Sequence, residues 1–100
     1  MIKHIVMWKL KPTAGGLSKA QNAQKLKNLL LACKDKTPGM LQYEVGFDIE
    51  TDLSPWDVVL YSEFESREAL ATYQKSREHQ TLKAQASGMR ESRAAVDYEV

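Results

Sequence analysis

The 100-residue sequence has little of several features that define common classes of protein. Its single cysteine, Cys33, cannot form a disulfide within the chain, which excludes a disulfide-stapled fold. Long apolar runs are also missing, because Lys3, Lys9 and Lys11 interrupt the most apolar stretch, at the N-terminus. That stretch therefore fits neither a signal peptide nor a membrane span. These absences predict a soluble, cytoplasmic protein with no membrane partner.

A strong excess of charge of one sign is absent as well. Fourteen Lys and Arg residues balance thirteen Asp and Glu residues, which gives a formal net charge of +1. Basic side chains are spread among acidic ones, so the sequence carries no electrostatic footprint for nucleic acid. His4, His79 and Cys33 show no local metal-ligand spacing, so we predict neither a metal nor another cofactor. The length fits one domain over residues 1–100.

Apolar residues at every second position indicate strands. We predict four of them, over residues 2–11, 40–48, 57–64 and 90–100. The first and third strands carry apolar residues on both faces, and those on the second face would form an exposed apolar patch of Ile5, Met7, Val59 and Tyr61. The sequence therefore predicts that a second copy of the chain covers this face, which makes the protein a homodimer.

Two helical stretches connect these strands. Ser18 followed by Gln21 is a capping box, and it precedes apolar residues at helical spacing, namely Ala23, Leu26, Leu30 and Cys33. A helix is therefore predicted from residue 18 to about residue 34. The second stretch follows the third strand, with Ser66 as its cap, a break near Ser76, a further helix over residues 77–86, and Gly88 closing it. The whole order is typical of a ferredoxin-like α+β sandwich, in which helices cover one face of a four-stranded antiparallel sheet.

Tyr73 and His79 are the best candidates for chemistry. In an unbroken helix they would lie roughly 240° apart, so one pocket can hold both only if the helix breaks between them. Ser76 supplies that break, because it can end one helix and cap the next. A neutral imidazole can then act as a base while a phenol donates to a developing oxyanion. In the alternative interpretation, Tyr73 packs on the sheet and His79 is a half-exposed polar residue.

We expect the pocket to lie between the sheet and the helices and to bind a small apolar or aromatic ligand. Its predicted lining, besides Tyr73 and His79, is His4, Val6, Trp8, Val58, Leu60 and Leu70. In the mechanism that this arrangement predicts, His79 removes a proton next to a carbonyl and the Tyr73 hydroxyl stabilises the enolate. Arg90 and Arg93, with Arg67 and Arg77, could guide an anionic ligand, although scattered surface charge explains them equally well.

Four segments together resemble the stress-responsive A/B barrel (Dabb) family. They are MIKHIVMWKLKP at residues 1–12, PGM at 38–40, FESREALATYQKSREH at 64–79 and VDYEV at 96–100. The resemblance covers essentially the whole chain and implies a dimeric α+β barrel of ferredoxin-like subunits. One branch of the family is similar to polyketide cyclases, in which a His acts as base, a Tyr holds a carbonyl oxygen and a His in the first strand lines the pocket. Those positions match His79, Tyr73 and His4.

The chain departs from the cyclase-like pattern at two places. Ser76 and Arg77 stand where that pattern has His and Pro, and Val58 stands where it has another pocket His. Two alternatives to a cyclase-like activity therefore remain open at this point. One is a non-catalytic, stress-related dimeric binding or structural protein, and the other is a haem-binding or oxygenase-like member of the wider dimeric α+β barrel group, for which a histidine is a suitable axial ligand.

Overall fold

The computed structural model describes residues 1–50 and 53–100 of the chain. The elements of this part, in chain order, are β1 (Ile2–Leu10), β2 (Thr13–Ala14), β3 (Leu17–Ser18), α1 (Lys19–Leu31), β4 (Met40–Phe47), β5 (Val58–Phe64), α2 (Arg67–Lys75), α3 (Arg77–Met89) and β6 (Arg90–Glu99). Four of the strands form an antiparallel sheet in the order β4-β5-β1-β6, and β2 pairs with β3 in a small hairpin. The predicted α+β class is confirmed.

The central strand β1 alternates strictly between the two faces of the sheet. Its even-numbered residues, from Ile2 to Leu10, are buried and the odd-numbered ones between them are half-buried. The helices lie on the buried face, where Leu26 and Leu30 of α1 and Leu82 of α3 join the core. Burial of such side chains contributes about 1.5–3 kcal/mol each, so the helical layer is held mainly by this apolar contact.

The opposite face of the sheet is apolar and is covered by no other element of the described chain. Strand pairing puts Val96 beside Ile5 and Ala94 beside Met7, and it puts Tyr61 and Val59 on the other side of β1. Val96 is 53% exposed and Tyr98 is 42% exposed. We call the set Ile5, Met7, Val59, Tyr61 and Val96 the outer patch. An apolar surface of this extent on a small domain is typical of an interface.

Several boundaries differ from those predicted. Helix α1 ends at Leu31, since the chain leaves it through tighter turns and reaches a left-handed conformation at Asp35 (φ 60°). Cys33 is nevertheless buried. The predicted turn after β1 contains the β2–β3 hairpin, which the buried amide of Asn22 holds by donating to the carbonyl of Ala14 (3.1 Å). Part of the predicted connection over residues 50–56, Thr51 and Asp52, lies outside the described residues.

Two element ends differ from what the sequence patterns predict: strict alternation over residues 40–48 puts Leu41 on the same face as Tyr43, and Gly88 is predicted to close the last helix. Strand β4 carries a bulge at Leu41, because Met40 pairs with Phe64 while Gln42 pairs with Glu63. Leu41 therefore does not share the buried face with Tyr43 and is 53% exposed. Gly88 does not close the last helix, since α3 continues to Met89 and only then enters β6. None of the described helices is long and apolar enough to cross a membrane.

The predicted break at Ser76 is confirmed. Ser76 is at once the C-cap of α2 and the N-cap of α3, with extended backbone angles (φ −64°, ψ 155°). Its hydroxyl donates to the carbonyl of Tyr73 (2.7 Å) and accepts from the backbone N–H of His79 (3.2 Å). One side chain therefore satisfies a free N–H of the second helix and adds a hydrogen bond to the Tyr73 carbonyl of the first, which also accepts from the backbone N–H of Ser76 (3.1 Å).

Replacing Ser76 with Ala is expected to destabilise the fold by about 1–2 kcal/mol, because both helix ends lose a hydrogen-bond partner. Urea unfolding followed by circular dichroism measures this change. Ser76→Asn is the matched control, since asparagine also caps helices well and should recover most of the lost stability. Equal losses in both variants would contradict a capping role for the Ser76 hydroxyl.

Candidate functional site

A cavity of about 700 Å³ lies between the inner face of the sheet and the broken helix. Its apolar wall consists of Val6, Trp8, Leu30, Leu60, Leu82 and Ala86. Its remaining lining residues are His4, Tyr73, Gln74, His79, Gln80, Lys83, Ala84, Ser87, Arg90 and Arg93. The volume falls within the range of small-molecule sites, roughly 300–1,000 Å³. The lining combines an apolar wall with polar groups that can fix the orientation of a bound molecule.

Six of the eight residues predicted to form the pocket line this cavity: His4, Val6, Trp8, Leu60, Tyr73 and His79. Val58 and Leu70 do not. Val58 is buried in the sheet between Trp8 and Phe47, its register partners on the two neighbouring strands. Leu70 lies toward the start of α2 and contributes to a separate shallow cleft beside Ile2. Both residues belong to the core around the site rather than to its lining.

The helix break brings Tyr73 and His79 into contact. Tyr73 lies in the last turn of α2 and His79 in the first turn of α3, and their ring centroids are 4.9 Å apart in an edge-to-face arrangement. His4 approaches the same phenol from the sheet, with a centroid separation of 6.1 Å. Two imidazoles therefore flank one buried tyrosine ring. This proximity depends on Ser76, since a continuous helix would turn His79 to another face.

The hydroxyl of Tyr73 is hydrogen-bonded inside the core. It lies 3.1 Å from the hydroxyl of Tyr43, and both rings are nearly inaccessible to solvent. Burial raises the pKa of both phenols well above the ordinary value, because an ionised phenolate would lose its hydration. The bond from Tyr43 acts in the opposite direction on Tyr73 and lowers its pKa. Both hydroxyls are therefore neutral at physiological pH.

His4 is held by a carboxylate. Its Nδ1 atom is hydrogen-bonded to Oδ1 of Asp97, and the His4 side chain is buried while that of Asp97 is 44% exposed. The carboxylate accepts a hydrogen bond from the Nδ1 N–H, which fixes the orientation of the ring. The backbone of His4 is fixed as well, since its carbonyl accepts a bond from the buried Ser62 hydroxyl (2.8 Å). The ring is thus oriented for a ligand in the cavity.

His79 has a different environment. Burial lowers its pKa below the ordinary value, and the charges of His4, Lys83 and Arg93 lower it further, while the backbone carbonyl of Gln74 acts in the opposite direction. Its buried Nδ1 atom has no hydrogen-bond partner among the described residues. A proton on that atom would be left unpaired, which disfavours the imidazolium. His79 is therefore a neutral imidazole at physiological pH.

Sequence reasoning missed two residues that shape the site. Tyr43 lies within the strand predicted over residues 40–48, and no sequence pattern indicates that its hydroxyl is the partner of Tyr73. Asp97 was placed on a strand face but not linked to His4, because the two positions are 93 residues apart in the chain. The available signal was alternation in the last strand, which puts Asp97 and Arg93 on the same face. The lining residues of α3 beyond His79 carried no such signal.

The described residues include no cluster of three or more His, Cys, Asp or Glu side chains that could hold a metal ion. Cys33 is buried, and burial raises the pKa of its thiol, so the thiol is protonated at physiological pH. The chemistry available at the cavity is therefore that of imidazoles, phenols and basic side chains. Together these groups can bind a small molecule, donate hydrogen bonds and accept a proton.

A four-stranded antiparallel sheet with helices and a cavity on one face defines a ferredoxin-like α+β domain. The model of the family described as Stress responsive A/B Barrel Domain matches residues 2–100, so the chain belongs to that family. None of the curated proteins compared with the chain matches it.

Solved structures share the fold. One is a dimeric protein of unknown function and ferredoxin-like fold from Bacteroides fragilis NCTC 9343, 28% identical, with a TM-score of 0.81 over 99% of this chain and 95% of that one. A dimeric ferredoxin-like protein of unknown function from Thermobifida fusca YX is 19% identical, with a TM-score of 0.85 over 99% and 90%. A candidate antibiotic biosynthesis monooxygenase from Nitrosomonas europaea is 20% identical, with a TM-score of 0.78 over 100% and 98%. At 19% and 20% identity, the similarity to the Thermobifida fusca and Nitrosomonas europaea proteins shows a shared fold alone.

NMR titration of the imidazoles checks the charge environment of His79, and the chain has only two histidines to resolve. The pKa of His79 is expected below its ordinary value of about 6.5. Arg93→Gln should raise that pKa, because it removes one of the cations that oppose protonation. Lys36→Gln, on an exposed loop outside the cavity, is the control and should leave it unchanged.

The lowered pKa of His79 determines the direction in which the stability of the fold changes with pH. Between the lowered folded pKa and the unfolded value the unfolded chain binds more protons, so stability should fall as pH drops through that interval. A His79 that titrates at the ordinary value in both the native chain and Arg93→Gln would contradict this description of the site.

Proposed function

We propose that the cavity binds a small apolar or aromatic compound. The observation that carries this proposal is the cavity itself, about 700 Å³ in volume, with an apolar wall that includes Trp8 and Leu60 and with His4, Tyr73 and His79 at one side. If these residues served only to pack the core, Trp8 would be free to fill the cavity. The cavity instead remains open beside it. The apolar wall favours a ligand with a hydrocarbon body, and the polar groups opposite it can bind a polar substituent.

The polar groups support acid–base chemistry on that ligand, with His79 and Tyr73 as the catalytic pair. His79 is neutral and can accept a proton from a carbon next to a carbonyl. When Tyr43 donates to the Tyr73 oxygen, the Tyr73 proton is free for the developing oxyanion of the ligand. His4, oriented by Asp97, would position the ligand. This arrangement is similar to that of the cyclase-like branch of the family.

We further propose that the working unit is a homodimer in which the outer patches of two copies face each other. The patch is apolar and uncovered by the described residues of one chain. The Bacteroides fragilis and Thermobifida fusca neighbours are described as dimeric. Self-complementary apolar faces of this kind form two-fold interfaces.

Two other functions are distinguished by simple measurements. A non-catalytic binding protein would take up ligand without accelerating proton transfer. A haem-binding or oxygenase-like protein would change the absorbance spectrum of haemin on titration, since histidine is a suitable axial ligand. The monooxygenase name belongs to a neighbour of 20% identity and gives this alternative no support beyond the fold.

Proton abstraction is tested with acetophenone in D₂O, where exchange of its methyl protons is followed by NMR. The native protein should accelerate the exchange, and His79→Ala should lose roughly a hundred-fold or more of that acceleration, the usual contribution of a positioned base. Binding of acetophenone, measured by saturation transfer, should change little. Binding without any acceleration would favour the non-catalytic alternative, and equal loss of binding and exchange in His79→Ala would contradict the base role.

Dimerisation is tested by sedimentation equilibrium. The native protein should have twice the monomer mass of 11.3 kDa. Met7→Asp should give the monomer, because it buries an unpaired charge between two apolar faces. Leu31→Asp is the control, since Leu31 is an exposed apolar residue of α1 away from the sheet, and it should remain dimeric. A monomeric native protein at micromolar concentration would contradict the proposed interface.

A further inference from the structure

The charged residues of the cavity lining are all basic. Lys83 of α3 and Arg90 and Arg93 of β6 are among the lining residues, and no Asp or Glu of the described chain is. The whole molecule has a formal net charge of only +1, so the excess of basic residues is a property of the cavity lining and not of the whole chain. Apolar side chains form the opposite wall, including Trp8 and Leu60. The lining therefore combines an apolar wall with basic side chains and includes no carboxylate of the described residues.

A bulge in β6 determines which face of the sheet each charged residue occupies. Arg93 pairs with Trp8 and Ser92 with Lys9, but the register then shifts, so that Arg90 and not Glu91 pairs with Leu10. Because paired residues share a face, Arg90 joins Arg93 on the cavity side of the sheet. Glu91, the extra residue of the bulge, instead forms an ion pair with Lys9 of the other face (3.7 Å). Without the bulge a glutamate would stand where Arg90 does.

The three cations have no protein counter-ion in the part of the chain that the structure describes. The ion pairs found there join other residues: His4–Asp97, Lys9–Glu91, Lys19–Asp57 and Arg67–Glu99. The acidic residues of β6 on the same face, Asp97 and Glu99, are already paired with His4 and Arg67. Basic side chains that converge on a cavity without carboxylates favour an anion there.

The cations also act on groups inside the cavity. Lys83 and Arg93 contribute to the lowered pKa of His79, and Arg93 lowers the pKa of Tyr73. Arg93, Tyr73 and His79 line the same cavity, which is the geometric basis of this influence. A negatively charged ligand group near Arg93 would consequently sit within reach of the same pair.

We infer that the cavity selects compounds whose apolar or aromatic body carries one oxyanion group, a carboxylate or sulfonate. The apolar body contacts Trp8 and Leu60, and the oxyanion is bound by Arg90 and Arg93, whose guanidinium groups can donate two parallel hydrogen bonds to it. This inference rests on the proposed function, because it names the ligand class of the same cavity.

Two fluorescent probes that differ by one group test it. 1-Anilinonaphthalene-8-sulfonate carries the oxyanion, and N-phenyl-1-naphthylamine has the same rings without it. We expect the native protein to bind the sulfonate more tightly, and the double variant Arg90→Gln/Arg93→Gln to weaken sulfonate binding about ten-fold or more while changing amine binding less than about two-fold. Arg67→Gln/Arg77→Gln is the matched control, because it removes the same net charge outside this cavity and should leave both affinities unchanged.

The outcomes separate this inference from the proposed function. Equal binding of the two probes, or sulfonate binding that the Arg90/Arg93 variant leaves intact, overturns the anion selectivity but leaves an apolar cavity. Failure of the native protein to bind either probe overturns the proposed function itself. Ala84→Trp places a bulky side chain at the cavity lining and should abolish binding of both probes. This variant shows whether the fluorescence change comes from probe bound in the cavity. Binding that persists in Ala84→Trp also counts against the inference.

Discussion

The hydroxyl of Ser76 bridges the two helices that form the cavity wall, and the site depends on that bridge. It donates to the carbonyl of Tyr73 and accepts from the N–H of His79. The residues whose backbones it binds are therefore the same two whose rings meet beside the cavity. A continuous helix would satisfy these backbone groups internally and would turn the imidazole away from the phenol. Local capping chemistry thus decides whether the two rings share a site.

The sheet supplies the second half of the site through the edge strand β6. That strand turns its apolar residues, such as Val96, to the outer face and its polar residues, Arg93 and Asp97, to the side of the helices. No helix of the described chain fully covers this edge, so charged side chains can reach the cavity without complete loss of hydration. The strand thereby serves two surfaces, one suited to a second copy of the chain and one suited to a ligand.

The two histidines have different environments. His4 is buried and bonded to a carboxylate, which fixes its tautomer. Burial is the main cause that disfavours the protonated form of His79, and the charges of Lys83 and Arg93 act in the same direction. The phenol between them is bonded to a second phenol in the core. A negatively charged ligand group near Arg93 would offset that cation and raise the pKa of His79.

Much of this protein follows from the sequence alone. Alternation in β1 and β5, the capping box at Ser18 and the dual cap at Ser76 are local patterns. They predict the α+β class and the helix break, and the break allows Tyr73 and His79 to share one pocket. Tertiary structure decided what local patterns do not encode. The bond between His4 and Asp97 and the place of Arg90 depend on how β6 is registered against β1, and a single bulge changes which side chain faces the cavity. Register is fixed by packing between distant segments, so only the folded chain determines it.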